Sequence, residues 1–296
     1  MTTFARFKPA LLPLAKHSLH DDAASMSSLL IAERSNSKVR TYYAPFDHVN
    51  RDAHLVLVGI TPGRTQMNIA LHAAAQGLKQ GLTDAQVITL AKQTASFGGS
   101  MKQKLVAMLD HHGFNKRLRI ETCENLWNTA NHLVHFTSAL RNPVFVMEKG
   151  QEKNYTGGNP KLRSYAAFKP ALADLRQELM SIPKGLIVPL GAEVAQALQV
   201  LVEAGDLPAH RVLNYNGAVV EFPHPSPANG ESHALTLLNQ LPSLDEYKAS
   251  RLTQYRAEKM AEGIALTAAN EQTYLTKRSS YWNRARTTRL AIDSLA

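Results

Sequence analysis

Four short apolar runs separated by helix-like stretches constrain this chain more than any other feature. Leu55–Val58, Leu133–Ala139, Leu186–Leu190 and Ala218–Phe222 read as strands. Helical patterning fills the gaps: Met67–Leu78, a segment opened by the capping-box spacing of Thr83-Asp84-Ala85-Gln86, and one to Asp110 stopped by Gly113. An amphipathic stretch covers Tyr165–Met180, another runs from Gly191 to Ala204 and ends at Gly205, and a last one reaches about Leu241. Strands that alternate with helices specify a parallel sheet covered on both faces. The expectation is an α/β protein, a three-layer α/β/α sandwich around a four-stranded parallel sheet over residues 50–241. Residues 1–49 are expected to add a helical or irregular extension, and residues 242–296 a basic helical one. Asn142-Pro143 and Gly157-Gly158-Asn159-Pro160 make residues 141–163 read as loop.

Two of the runs end in rigid, proline-containing loops, Gly59-Ile60-Thr61-Pro62-Gly63 and His224-Pro225-Ser226-Pro227. Ligands bind at the carboxyl ends of strands in open parallel sheets, so the two loops are expected to form two walls of one pocket. One wall carries a histidine.

Composition narrows the class. No run approaches the roughly 20 apolar residues of a membrane span, and Met1–Pro13 lacks the long apolar core of a signal peptide. Cys123 is the single cysteine, which excludes an internal disulfide and any multi-thiolate metal site and fits a reducing cytosol; a cytoplasmic protein is expected. The net charge of +9 favours a phosphate-rich partner. The tail is basic near its end, with Lys277, Arg278, Arg284, Arg286 and Arg289 interleaved with Tyr274, Tyr281 and Trp282. Two readings stay open for it: a helix folded back on the domain, or an arm whose cations meet phosphates and whose rings stack on bases.

The ordered set of pieces resembles the uracil-DNA glycosylase superfamily. The Gly-x-x-Pro-Gly loop is Gly59–Gly63, with Gln66 where the thermostable branch often has Glu. Phe97-Gly98-Gly99, followed by a helix closing at Gly113, is similar to that branch's Phe-x-Gly segment. Phe136-Thr137-Ser138 resembles the strand that usually ends in Thr-Asn. Ile187–Leu198 resembles the third strand with its Leu-Gly-Ala turn and helix, and His224–Pro227 the second active-site loop. Asn229 matches the form seen in single-strand-selective members.

The resemblance implies a uracil-DNA glycosylase-like fold and a roster of roles. A base is flipped out of its stack and its N-glycosidic bond is hydrolysed, releasing uracil or another deaminated base. His224 would donate a hydrogen bond to the base oxygen that gains charge, an oxyanion-type stabilisation. Thr61 and Gln66 would stand where attacking water is positioned. Phe97 would stack on the base, with Gly59, Ile60 and Ser138 around its edge; Gly63, Ser226 and Asn229 would meet DNA. No cofactor is expected. The first loop lacks the Lys-Ser/Thr of a P-loop and the glycines of a dinucleotide site. No metal is expected either: His111-His112 suits a helix end, and His132 and His135 have no carboxylate at ligand spacing.

The sequence also departs from the family pattern. Thr61 stands where several active members have Asp or Asn, and threonine is a poor base at neutral pH. Ser138 replaces the Asn that reads the uracil edge in a bidentate way. The lone Cys123 removes the four-cysteine cluster of the iron–sulfur branch. Ala228 replaces a larger wedge residue, which points to single-stranded or mismatched DNA as substrate. Two competing functions follow: a non-catalytic binder of nucleic acid or a base-containing ligand, and an enzyme of free nucleosides or nucleotides.

Overall fold

The computed structural model describes residues 3–16, 27–34 and 39–295. In chain order its helices and strands begin with α1 (Thr3–Leu11), β1 (Leu30–Arg34), β2 (Val39–Tyr42), β3 (Leu55–Gly59), α2 (Arg64–Lys79), α3 (Asp84–Ala95), α4 (Ser100–His111) and α5 (Phe114–Leu118). There follow β4 (Val134–Ser138), β5 (Val144–Glu148), β6 (Gln151–Asn154), α6 (Lys169–Met180), β7 (Leu186–Pro189) and α7 (Ala192–Glu203). The rest are β8 (Asn214–Tyr215), β9 (Ala218–Val219), α8 (Gly230–Thr236), α9 (Leu244–Ala261) and α10 (Ala268–Asp293).

Strand β3 is buried at every position and lies between β4 and β7, parallel to both. A strand covered on both faces needs the continuous apolar run that Leu55-Val56-Leu57-Val58 supplies. Its side chains alternate between two cores. Val56 and Val58 join Leu175, Leu179 and Leu198 from α6 and α7, while Leu55 and Leu57 join Leu105, Met108 and Leu109 from α4. The three layers are thus the direct product of strand alternation.

The parallel ladder has three strands where four were expected. The run Ala218–Phe222 divides its backbone bonds between two partners. Its first two residues turn back on β8 through Asn216 and Gly217, both at positive φ, the backbone of a tight hairpin. Only its end reaches the parallel layer, by a single bridge between Phe222 and Leu190. There Phe222 N–H donates to Pro189 O at 2.8 Å and Gly191 N–H donates to Phe222 O at 2.8 Å. That bridge suffices to deliver His224 to the rim.

A second, antiparallel sheet was not foreseen. Its order is β1-β2-β5-β6, so part of the N-terminal extension is strand, and part of residues 141–163 is a hairpin rather than loop. Lys149 and Gly150, both at positive φ, make its two-residue turn. This sheet shares a third core with α1, α2 and α3, in which Phe7 stacks on Tyr43 with centroids 4.5 Å apart.

One buried charge cluster ties the layers together. Glu178 of α6 accepts from His135 of β4 at 2.6 Å, pairs with Arg141, and lies 3.9 Å from Lys92 of α3. Lys92 also donates to the His48 carbonyl at 2.5 Å. Burial opposes the charge on Glu178, yet Lys92, His135 and Arg141 together hold its pKa well below the carboxylate range.

The tail is a helical hairpin folded back on the domain. Helix α8 stops at Thr236, short of the expected Leu241. The guanidinium of Arg289 takes the Leu235 and Thr236 carbonyls, both at 3.2 Å, and that of Leu238, acceptors a longer helix would use itself. Among the described residues no helix is long and apolar enough to cross a membrane.

Candidate active site

A cavity of about 440 Å³ opens at the carboxyl ends of β3, β4 and β7, within the range of small-molecule and cofactor sites. Both proline-containing loops line it, as do Ser138 and Phe97. The expected residues Gly59, Ile60, Thr61, Gly63, Gln66, Phe97, Ser138, His224, Ser226 and Asn229 all come together around this space.

The first loop is held rigidly. Gly59 O and Ile60 O accept the N–H groups of Ala139 and Leu140 at 2.8 and 2.9 Å, which carries the β3–β4 pairing beyond the strands. Those two carbonyls are therefore engaged within the fold. The Thr61 hydroxyl donates to Asn142 O and accepts Val144 N–H, both at 3.0 Å. Its proton is spent on the backbone. Gln66 turns back so that its Oε1 accepts the Gly63 N–H at 2.9 Å, closing the start of α2. Asn154, at the end of β6, adds an Oδ1 acceptor for Arg64 N–H at 3.0 Å and also lines the cavity.

Phe97 is buried and sits at φ 49°. An aromatic residue in the left-handed region costs roughly 1–3 kcal/mol, and such strain clusters at functional sites. The conformation lays its ring over the first loop: a Cβ placed on Gly59 would stand 3.4 Å from Phe97 Cζ and 3.5 Å from Ser138 Oγ. A Cβ there would meet the ring at ordinary van der Waals distance. Trp127 donates to the Ser96 carbonyl at 2.7 Å and packs at a tilt against Phe136, which in turn abuts Phe97.

His224 is defined in both charge and tautomer. Burial pushes its pKa down to about 4, with nearby His233 adding to the effect, so the ring is neutral at pH 7. Its Nδ1 accepts the Ser226 N–H at 3.2 Å, which leaves the single proton on Nε2. The loop is clamped from behind: His233 Nε2 and Asn229 Nδ2 reach the His224 carbonyl at 2.8 and 3.1 Å. Asn229 also donates to Ser226 Oγ at 3.2 Å. Gly191, at φ 96°, lets the β7–α7 turn approach; a Cβ there would lie 3.6 Å from His224 Cβ.

Several lining residues carried no usable signal in the sequence. Glu193 has the pattern of an ordinary first-turn acid of α7. Glu221 precedes the second loop, and burial raises its pKa against the opposing charge of Arg284. Helix α10 supplies a wall through Tyr281, Arg284 and Thr288. Arg284 pairs with Glu221 at 3.1 Å, and the Thr288 hydroxyl donates to the Glu221 carbonyl at 2.8 Å. Arg278 pairs with Glu231 at 3.0 Å, and Trp282 donates to Pro242 O at 2.9 Å. Of the two readings of the tail, these bonds match the folded-back one; Lys277 and Arg286 are exposed and form no ion pair among the described residues.

An aromatic ring, a hydroxyl, a neutral imidazole N–H and carboxylates thus line one rim cavity of an α/β protein. Residues 46–242 match the model of the uracil DNA glycosylase superfamily, and the chain belongs to that superfamily. A relative is the uncharacterized protein YoxB of Bacillus subtilis (strain 168), 36% identical over 192 residues, which cover 64% of this chain and 71% of that one. Among solved structures, Pedobacter heparinus SMUG2 aligns over 95% of this chain and 98% of its own at 11% identity, with a TM-score of 0.36.

Proposed function

We propose that this protein is a DNA glycosylase that receives a flipped uracil or another deaminated base and hydrolyses its N-glycosidic bond. Single-stranded or mismatched DNA is the preferred substrate. The observation that carries the reading is His224: neutral, with its proton on Nε2, and in the same cavity as the Phe97 ring. A base stacked on Phe97 takes its edge contacts from Ser138 and the first loop. As the C1′–N bond breaks, negative charge grows on the base oxygen and the Nε2–H of His224 hydrogen-bonds to it. Such a preorganised donor stabilises a developing charge without reorganising at the moment of reaction.

A second reading is favoured by Thr61, whose hydroxyl proton is spent on Asn142 O. If no other group handles water, the pocket binds a base without cleaving it. Single-turnover base release from a single-stranded uracil oligonucleotide separates the two. Cleavage by the wild type that is lost in His224→Ala supports the glycosylase. No release by the folded wild type from uracil, hypoxanthine, xanthine or mismatched substrates favours the binder.

A further inference from the structure

We infer that Glu193 supplies the carboxylate that the first loop lacks, taking a proton from the water that attacks the sugar. The assignment rests on the glycosylase reading. Hydrolysis at C1′ needs a group that orients water and accepts its proton. Thr61 and Gln66, which stand where that group is expected, are both engaged: the Thr61 hydroxyl donates to Asn142 O, and Gln66 Oε1 accepts the Gly63 N–H. Neither side chain takes a proton at neutral pH.

Two carboxylates line the cavity, Glu193 and Glu221. Glu221 is paired with Arg284 on the α10 side. Glu193 is the second residue of α7, just past the turn that ends β7. A Cβ placed on Gly157 would stand 2.9 Å from Glu193 Cβ and Cγ and 3.4 Å from Ile60 Cδ1, so the glutamate stem runs beside the first loop. Two residues back, a Cβ placed on Gly191 would stand 3.6 Å from His224 Cβ. Glu193 is therefore adjacent to both halves of the proposed site.

Its carboxylate is only half used. Oε1 pairs with Lys161 at 2.9 Å, a lysine whose side chain is 59% exposed. Oε2 is buried and has no hydrogen-bond partner among the described residues. An orphaned buried acceptor is costly and calls for a reason, and a donor O–H from water is one. The charged and titratable groups around it are Lys161, Tyr155, His224 and the Glu221–Arg284 pair. Burial and the Glu193 charge keep the Tyr155 phenol protonated, and it donates to the Pro160 carbonyl. His224 is neutral. Among the described residues that line the cavity, Glu193 is thus the carboxylate with a buried oxygen left open.

The step balances with water as the one co-reactant. The water oxygen bonds to C1′ as the C1′–N bond breaks. That bonding pair leaves on the base, whose oxygen is held by the His224 Nε2–H. Glu193 takes one proton of the water, and the same proton is afterwards returned to the base nitrogen.

The test is Glu193→Gln, which keeps the length and leaves an oxygen for Lys161. Circular dichroism checks the fold. Single-turnover base release is read across pH, together with affinity for the oligonucleotide. The expected loss is about 100-fold or more, the scale of general acid–base catalysis, at unchanged affinity. The rise of rate with pH on the acidic side should vanish as well. A variant matching the wild type in rate and pH profile overturns the assignment and leaves the glycosylase reading intact. A second readout needs no turnover: affinity for an oligonucleotide with a protonated pyrrolidine in place of one sugar, against a neutral tetrahydrofuran. The wild type should prefer the cation and Glu193→Gln should not. Absence of that preference in the wild type overturns the assignment even where no base is released.

Discussion

Val144 donates its backbone N–H to the Thr61 hydroxyl at 3.0 Å, and that bond fastens the rim of the parallel layer to the antiparallel sheet. The same hydroxyl donates to Asn142 O, so one side chain closes two backbone positions. Thr61 is thereby a structural clasp in a position where the family pattern suggests chemistry.

Thr61→Val keeps the shape and removes both bonds. It should cost about 1–3 kcal/mol, the penalty of stranding a partly buried N–H and C=O. Thr61→Ser should recover most of the loss. Chemical denaturation midpoints check both. If Thr61→Val were as stable as the wild type but slower in base release, the hydroxyl would be acting on water instead.

Phe97→Leu preserves apolar volume and removes the aromatic face. Stacking of a base on an aromatic ring is worth roughly 1–3 kcal/mol, so binding of a uracil oligonucleotide should weaken about 5- to 150-fold. Fluorescence anisotropy measures it. An unchanged affinity would mean that the left-handed Phe97 serves the core alone.

Burial lowers the pKa of both His112 and His224 to about 4. In the unfolded chain each returns to the usual value of about 6.5. The unfolded state therefore binds protons first as pH falls. The stability tied to these two groups is complete above about pH 6.5 and is lost progressively toward pH 4, on the order of 1 kcal/mol per pH unit for each histidine. Calorimetric melting between pH 7 and 4.5 should show this decline, and His224→Gln should reduce its slope. A flat profile would contradict the buried, neutral imidazoles.

Removing a single member of the buried cluster is the severest change expected. Glu178→Gln leaves Lys92 and Arg141 without their shared counter-charge, and breaking a buried ion pair costs about 3–5 kcal/mol. Denaturant unfolding reads the loss. Because Lys92 of α3, His135 of β4, Arg141 of the loop after it and Glu178 of α6 meet here, the damage should appear in global unfolding, not in local fraying.

How much of this was legible in the sequence follows from the range of the interactions involved. Strand β3 and its loop were readable because a strand buried on both faces must be apolar throughout and its end must turn sharply. His224 was readable because its loop follows an apolar run. The β5–β6 hairpin was hidden by neighbouring glycines and prolines, which outweighed the short apolar run Val144–Met147. Asn154 meets Arg64 across 90 residues, a pairing set only by the packing of two sheets. Glu193 resembled any acid that favours a helix N-terminus. What distinguishes it is an oxygen left unpartnered, and partnership is a property of the fold.

The basic tail gives the last prediction. Of its cations, Arg278, Arg284 and Arg289 are committed to Glu231, Glu221 and helix-end carbonyls, whereas Lys277 and Arg286 are exposed and form no ion pair among the described residues. A cation that meets DNA phosphate releases counterions, so its loss should lower the slope of log affinity against log salt by about 1. Arg286→Gln should do so if the tail touches DNA. Arg278→Ala should leave the slope alone and instead lower stability, since it strips charge from the seam between α8 and α10. The opposite pattern, with a reduced slope for Arg278→Ala at full stability, would mean that α10 lifts from the domain when DNA binds and that its internal ion pairs are exchanged for phosphates.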